Sequence, residues 1–438
     1  MKNDSLEPSE IKAATKSTFF SSIKKGANLS VGLLNGIVGD FLDKDNNGLA
    51  VQMQFYANEK PFTISKENIE NVHKKLSSKI CILIHGLTND ETIWNFANTD
   101  NQNYGTYLQN DFGYTPFYIR YNTGLHISEN GKQFSQLIEN LIQNYPVEID
   151  EIVIIAHSMG GLVTRSACYY APLQNAHWTE KISKLFFIGT PHLGAPLEKF
   201  GNALTHLLKT IPVSYTKIAG DVINLRSAGI KDLRYGYLTD EDWKEQHPDA
   251  LLTNNKTVVP LLDDVDYYLI TGTLTADSEH LFSEWFGDAL VRKKSAIGKS
   301  KTKHHLPFDL NNHKEFAGLA HLKLVDSMDV YEQIKGWIYQ KSSIKKPRHK
   351  KTIIPYNETY FPKENKHAKN KLNSVLELTK TGLIGSIDKL ETIQKSNLTY
   401  KILNQIPVVN VFSKEIENIH NSISKTVLKS SKTVLKKI

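Results

Sequence analysis

The sequence predicts an α/β protein: a mostly parallel central sheet with helices on both faces, a helical cap insertion and a basic helical tail. Three observations predict it. Five short apolar runs end in glycine or turn residues. Segments with helical spacing separate several of them. One run, "EIVIIAHS", passes directly into "MGGLVTRSACYYA", a strand-to-helix turn with a serine at its apex.

The runs are "KICILIHG" (79–86), "TPFYIRYN" (115–122), "EIVIIAHS" (151–158), "KLFFIGTP" (184–191) and "DYYLITGT" (266–273). Near-continuous apolarity suits strands buried on both faces, as in a parallel sheet. The helical patterns "GKQFSQLIENLIQNY" (131–145) and "GGLVTRSACYYA" (160–171) lie between them. Strand–helix alternation with right-handed crossovers gives an open α/β sheet. About 75 residues separate the last two runs, too many for a simple connection. The stretch at about 197–250 therefore reads as a cap insertion over the carboxyl edge of the sheet, where such folds bind ligands. "YEQIKGWIYQK" (331–341) reads as the closing helix, so the main domain spans 51–340.

Residues 1–50 are expected to form a helical segment packed on that domain, from the glycine-interrupted helical spacing of "FFSSIKKGANLSVGLLNGIVGDFL" (19–42). Residues 341–438 form a basic linker and an amphipathic tail. Of the 53 Lys+Arg and 46 Asp+Glu in the chain, this tail holds 20 and 7, so it carries +13 and the rest −6. The tandem heptads "SKTVLKS" and "SKTVLKK" lay an apolar stripe along a lysine-rich helix. Such a stripe would suit peripheral contact with an anionic membrane surface. Nucleic acid is not an expected partner, because aromatic residues are sparse in the tail and no recognition motif occurs. The N-terminus lacks the basic start and apolar run of a signal peptide, and no stretch reaches the apolar length of a membrane span. A cytoplasmic protein is expected, with membrane association through the tail as the added option. Cys81 and Cys168 sit in apolar patterns and read as buried thiols, with a bridge between them left open.

"AHSMGG" has the logic of a nucleophile elbow, which lifts a serine hydroxyl above the sheet edge. The positions two before and two after the serine must be small because their backbones nearly touch. Ala156 and Gly160 fill them. Ser158 at a helix N-terminus also has backbone N–H groups and the positive dipole end beside any oxyanion formed there. A nucleophilic serine needs a base, an orienting acid and an oxyanion hole. His157 is set aside as the base, since adjacent side chains diverge across the elbow. His304, His305, His313 and His321 all occur late in the chain. His321 fits best, because it precedes an apolar stretch and the closing helix; His313 is next. The acid should follow the "YYLITGT" strand, and spacing alone does not choose between Asp277 and Asp288. The oxyanion donors are expected to be the amides of Leu87, after "LIHG", and Met159.

Taken together, "IHGL", "AHSMGGLV", "GTPHLGAP" (189–196), "GDALV" (287–291) and "LAHLKLV" (319–325) resemble the α/β-hydrolase lipases and esterases. The set is similar to the triacylglycerol-lipase and GPI inositol-deacylase-like branch, from about Asn35 to about Gln340. The resemblance implies an α/β-hydrolase fold and a serine carboxylic ester hydrolase acting on lipid or acyl esters. It maps the triad acid onto Asp288 and the base onto His321. The chain departs from the pattern at Ala156 and Ala289, each glycine in many relatives. No metal or organic cofactor is implied. Two alternatives stay open: an acyltransferase using the same triad, and a catalytically silent binding module at a membrane or partner. Acyl length, head group and oligomeric state are not written in these motifs.

Overall fold

The computed structural model describes residues 31–32, 35–37, 39–40, 42–44, 50–97, 99, 102–195, 227–244, 256–273 and 293–340. The chain divides into two units, Met1–Leu376 and Glu377–Ile438, and every described residue belongs to the first. The tail from 341 and most of the expected cap lie outside the described residues.

Eight strands form one sheet: β1 (Gln54–Ala57), β2 (Lys60–Phe62), β3 (Lys79–Ile84), β4 (Thr115–Arg120), β5 (Glu151–His157), β6 (Ile182–Ile188), β7 (Asp266–Thr273) and β8 (His313–Ala317). Their order is β2-β1-β4-β3-β5-β6-β7-β8. β1 is antiparallel to β2 and β4, while β3 to β8 run parallel. The result is a mostly parallel sheet with an antiparallel edge, the architecture that the apolar runs predict. All five apolar runs are strands. The β1–β2 hairpin and β8, "HKEFA", are strands with too short or too polar a pattern to stand out, and neighbouring strands supply their pairing.

Side chains alternate across the sheet, as the two-residue period of a strand requires. Ile80, Ile82, Ile84, Ile152, Ile154 and Ala156 face one core layer. Cys81, Leu83, Val153 and Ile155 face the other. Helices α4 (Ile127–Asn144) and α5 (Met159–Leu173) cover the first layer through Phe134, Ile138, Leu162 and Val163. Helices α3 (Tyr104–Phe112) and α9 (Met328–Tyr339) cover the second through Tyr104, Leu108, Tyr331 and Trp337. The sheet is therefore buried on both faces, which is why its strands can be apolar throughout. Cys81 and Cys168 are both buried free thiols; burial pushes the Cys168 thiol up to about 12. None of the described helices is long and apolar enough to cross a membrane.

The remaining described helices are short or peripheral. Residues 31–32, 35–37, 39–40 and 42–44 are helical (α1), with Ile37 and Leu42 buried. α2 is Lys66–Val72 and α8 is Lys293–Ala296. From the insertion come α6 (Ala228–Tyr235) and α7 (Glu241–Lys244). Asp232 accepts from the Ile127 N–H at 2.8 Å and lies 3.0 Å from His126 Nδ1. The Trp243 ring stacks on His126 at 3.6 Å. These contacts fasten α6 and α7 to the start of α4.

Candidate active site

β4 and β5 lie on opposite sides of β3, so the carboxyl ends of β3 and β5 form a topological switch point, the place where this architecture binds ligands. The loop after β3 carries Gly86 and Leu87, and the turn after β5 carries Ser158.

Ser158 separates β5 from α5 with φ 53° and ψ −122°. Its N–H donates to the Ile188 carbonyl at 2.8 Å, which ties the turn to the neighbouring strand. A non-glycine residue here is strained by about 1–3 kcal/mol and persists because its surroundings fix it. Those surroundings are crowded. A Cβ on Gly160 would lie 2.5 Å from the His85 carbonyl oxygen and 2.7 Å from that of Ile84. A Cβ on Gly161 would overlap Thr190 Oγ1. Ala156 lies in regular β5 register, opposite Ile84 on β3 and Phe187 on β6. It is fully buried, so its methyl fills core space where glycine would leave a gap.

Gly86 passes directly over the serine: a Cβ there would be 2.8 Å from Ser158 Cβ. Leu87 follows it and is buried. The loop turns through Thr88, which adopts φ 64°, and Asn89 N–H donates back to the Gly86 carbonyl at 3.4 Å. Thr88 Oγ1 and Asn89 Nδ2 both donate to the Leu87 carbonyl, at 2.6 and 3.0 Å. Those bonds fix the Gly86–Leu87–Thr88 peptides. Met159 is the first residue of α5, so its N–H belongs to the set at a helix N-terminus that no intrahelical carbonyl serves.

His321 opens a 3-10 turn, His321–Val325, that follows β8 and precedes α9. Leu324 and Val325 anchor the turn in the core, and the Tyr104 hydroxyl donates to the Leu324 carbonyl at 2.5 Å. The His321 ring lies against Gly189, which has φ 60°; a Cβ there would be 2.7 Å from both Cε1 and Nδ1. Burial lowers the His321 pKa to about 4, so the ring is neutral at pH 7. His157 Nε2 donates to the His321 carbonyl at 3.3 Å, and the two rings are 4.7 Å apart. The histidine beside the serine thus supports the distant one. Its own pKa is held well below the usual range, first by burial and then by His321. Sequence reasoning missed this role, because no local pattern signals a contact between positions 157 and 321.

The other candidates fall elsewhere. His313 begins β8 and its Nε2 is 2.8 Å from Thr271 Oγ1, a contact between adjacent strands. His305 is exposed and His304 partly so. Asp277 and Asp288 both lie outside the described residues. Among the described residues, no cluster of three or more His, Cys, Asp or Glu side chains could hold a metal ion.

The sheet order and the elbow after β5 give the chain an α/β-hydrolase-like fold. Residues 75–262 match the family model described as "PGAP1-like alpha/beta domain". That stretch contains Leu87, Ser158 and Met159, and ends before Asp288 and His321. Among solved structures, the chain is similar to the Bacillus licheniformis lipase BlEst2 in mature form, at 16% identity and TM-score 0.39, covering 59% of this chain and 91% of that one. It is also similar to lipase 1 from Pelosinus fermentans, at 14% identity and TM-score 0.37, covering 62% and 100%. A third likeness is the Pyrococcus furiosus esterase Pf2001, at 15% identity and TM-score 0.34, covering 60% and 82%. The search of curated proteins found no match.

Proposed function

We propose that the protein is a serine hydrolase acting on carboxylic esters, with lipid or acyl esters as its substrates. The observation that carries this reading is the strained Ser158 elbow with Gly86 closed down on its Cβ. Such strain at a strand-to-helix turn has a purpose when the hydroxyl must stand clear of the sheet edge.

In the proposed reaction, Ser158 Oγ attacks the ester carbonyl carbon while His321 takes the hydroxyl proton. The carbonyl π electrons move to oxygen, and the Leu87 and Met159 N–H groups hold that oxyanion. Collapse breaks the C–O bond, and His321 returns the proton to the leaving alcohol. Water then attacks the acyl-enzyme by the same route, releasing the acid and Ser158. Asp288 is assigned the role of holding the imidazolium, on the strength of its motif alone. A neutral His321 supports the base role, since a protonated ring could not accept the serine proton. Peripheral membrane contact through 411–438 belongs to the same reading, supported by the lysine-rich heptads.

The deciding experiment is hydrolysis of p-nitrophenyl esters of graded chain length by the wild type and Ser158→Ala. Loss of turnover in a folded variant is expected, and unchanged turnover would sink the assignment. Sedimentation with anionic liposomes, with and without residues 411–438, tests the membrane contact; equal sedimentation removes it.

A further inference from the structure

The helical residues between 31 and 44 precede the stretch matched by the family model, and the proposed reaction uses none of them. Their glycines nevertheless press on the loops that follow β3 and β4. Gly32, Gly36 and Gly39 recur at helical spacing on one face. A Cβ on Gly36 would lie 2.5 Å from Thr88 Cγ2 and 3.1 Å from both Thr88 Cα and N. One on Gly32 would lie 3.1 Å from the Thr88 carbonyl oxygen and 3.2 Å from that of Asn89. One on Gly39 would overlap Asn122 Oδ1.

Hydrogen bonds close the same arrangement. Asn122 Nδ2 donates to the Gly39 carbonyl at 2.9 Å, and Ser227 Oγ donates to that of Gly36 at 2.7 Å. Thr88 N–H donates to Thr123 Oγ1 at 3.2 Å. Thr88 is β-branched with φ 64°, a conformation such residues almost never adopt unless held. It is held between Thr123 on one side and the glycine face of the helix on the other.

We propose that this helix is a clamp for the Leu87–Asn89 loop, with Gly36 as a positioning residue. The catalytic part of the inference rests on the reading above, in which the Leu87 amide stabilises the oxyanion. A methyl at Gly36 would drive the Thr88 backbone away and, through Leu87, shift the Gly86–Leu87 peptide, whose N–H must be in place as charge develops. The clamp accounts for the glycines: only a bare backbone lets the helix lie on the backbone of Thr88.

The test compares full-length wild type, Gly36→Ala, Gly36→Ala/Thr88→Ser, and the control Gly336→Ala, an exposed helical glycine with open space around it. Three quantities are measured: steady-state hydrolysis of p-nitrophenyl butyrate, circular dichroism, and amide hydrogen exchange over residues 83–93. Gly36→Ala is expected to lower kcat roughly 10- to 100-fold with KM within about twofold, and to speed exchange at 86–89. Thr88→Ser removes Cγ2 and leaves the next contacts at 3.1 Å, so it should recover most of both losses. Gly336→Ala should leave both unchanged. A folded Gly36→Ala with wild-type kcat and exchange overturns the clamp, as does a loss that Thr88→Ser fails to recover. Should Gly36→Ala not fold, Gly32→Ala decides in its place, with the same pattern expected at about threefold in kcat; wild-type kcat and exchange in it overturn the clamp. If wild-type turnover proves independent of Ser158, the hydrolase reading falls and exchange alone decides. Faster exchange in Gly36→Ala, reversed by Thr88→Ser, then supports the clamp, and unchanged exchange removes it.

Discussion

Gly86 leaves no room for a side chain beside Ser158: a Cβ there would sit 2.8 Å from the serine Cβ and 3.2 Å from His157 Nδ1. Gly86→Ala must therefore displace either the elbow or the loop that carries Leu87. We expect kcat/KM to fall by roughly 100-fold or more, with about 1–3 kcal/mol of stability lost to overpacking. Ester hydrolysis beside a thermal melt checks both. A variant with wild-type kcat/KM would show that the loop's approach to the serine is incidental.

Ser158 has φ 53°, a conformation that glycine adopts at little cost. Ser158→Ala keeps the Cβ and its strain, whereas Ser158→Gly relieves it. The glycine variant should be more stable than the alanine variant by about 1 kcal/mol, with neither hydrolysing esters. Urea unfolding of the two variants is the measurement; equal midpoints would mean the elbow holds no strain.

His321 has a pKa of about 4 in the folded protein, lowered by burial from 6.5. The unfolded chain therefore takes up this proton near pH 6.5, while the folded protein resists until about 4. The neutral ring's contribution is fully present above 6.5 and is lost as pH falls toward 4. Burial also raises the Glu91 and Asp232 carboxyls, so a difference isolates the histidine. Relative to His321→Asn, the wild type should lose up to about 1.4 kcal/mol per pH unit between 6.5 and 4. Urea midpoints at several pH values test this, and parallel curves for the two proteins would refute it.

Arg120 on β4 holds Glu91 through two bonds, Nε to Oε2 at 2.5 Å and Nη2 to Oε1 at 2.6 Å, with both side chains buried. This pair ties the turn that follows the Leu87 loop to the sheet. Arg120→Met strands a buried carboxylate and should cost about 3–5 kcal/mol. Arg120→Met/Glu91→Leu removes both partners and should recover part of that loss. Equal destabilisation in the single and double variants, by chemical denaturation, would show that the pair is not the source.

The five buried strands and the turn at Ser158 are legible in the sequence because each rests on local rules. Apolar runs mark strands with two covered faces, and small residues mark a turn whose backbones touch. The same rules place His321 after the last strand and Leu87 after β3. Local rules do not reach the hairpin β1–β2 or β8, whose few residues become strands through partners far along the chain. Nor do they reach the contact of His157 with the His321 carbonyl. The glycines at 32, 36 and 39 read as interruptions of a helix in one dimension. In three dimensions they are where its backbone meets Thr88 and Asn122. Periodicity follows from the geometry of a single element, so the sequence determines which elements form. The packing of backbone on backbone depends on which elements become neighbours, and only the tertiary structure decides that.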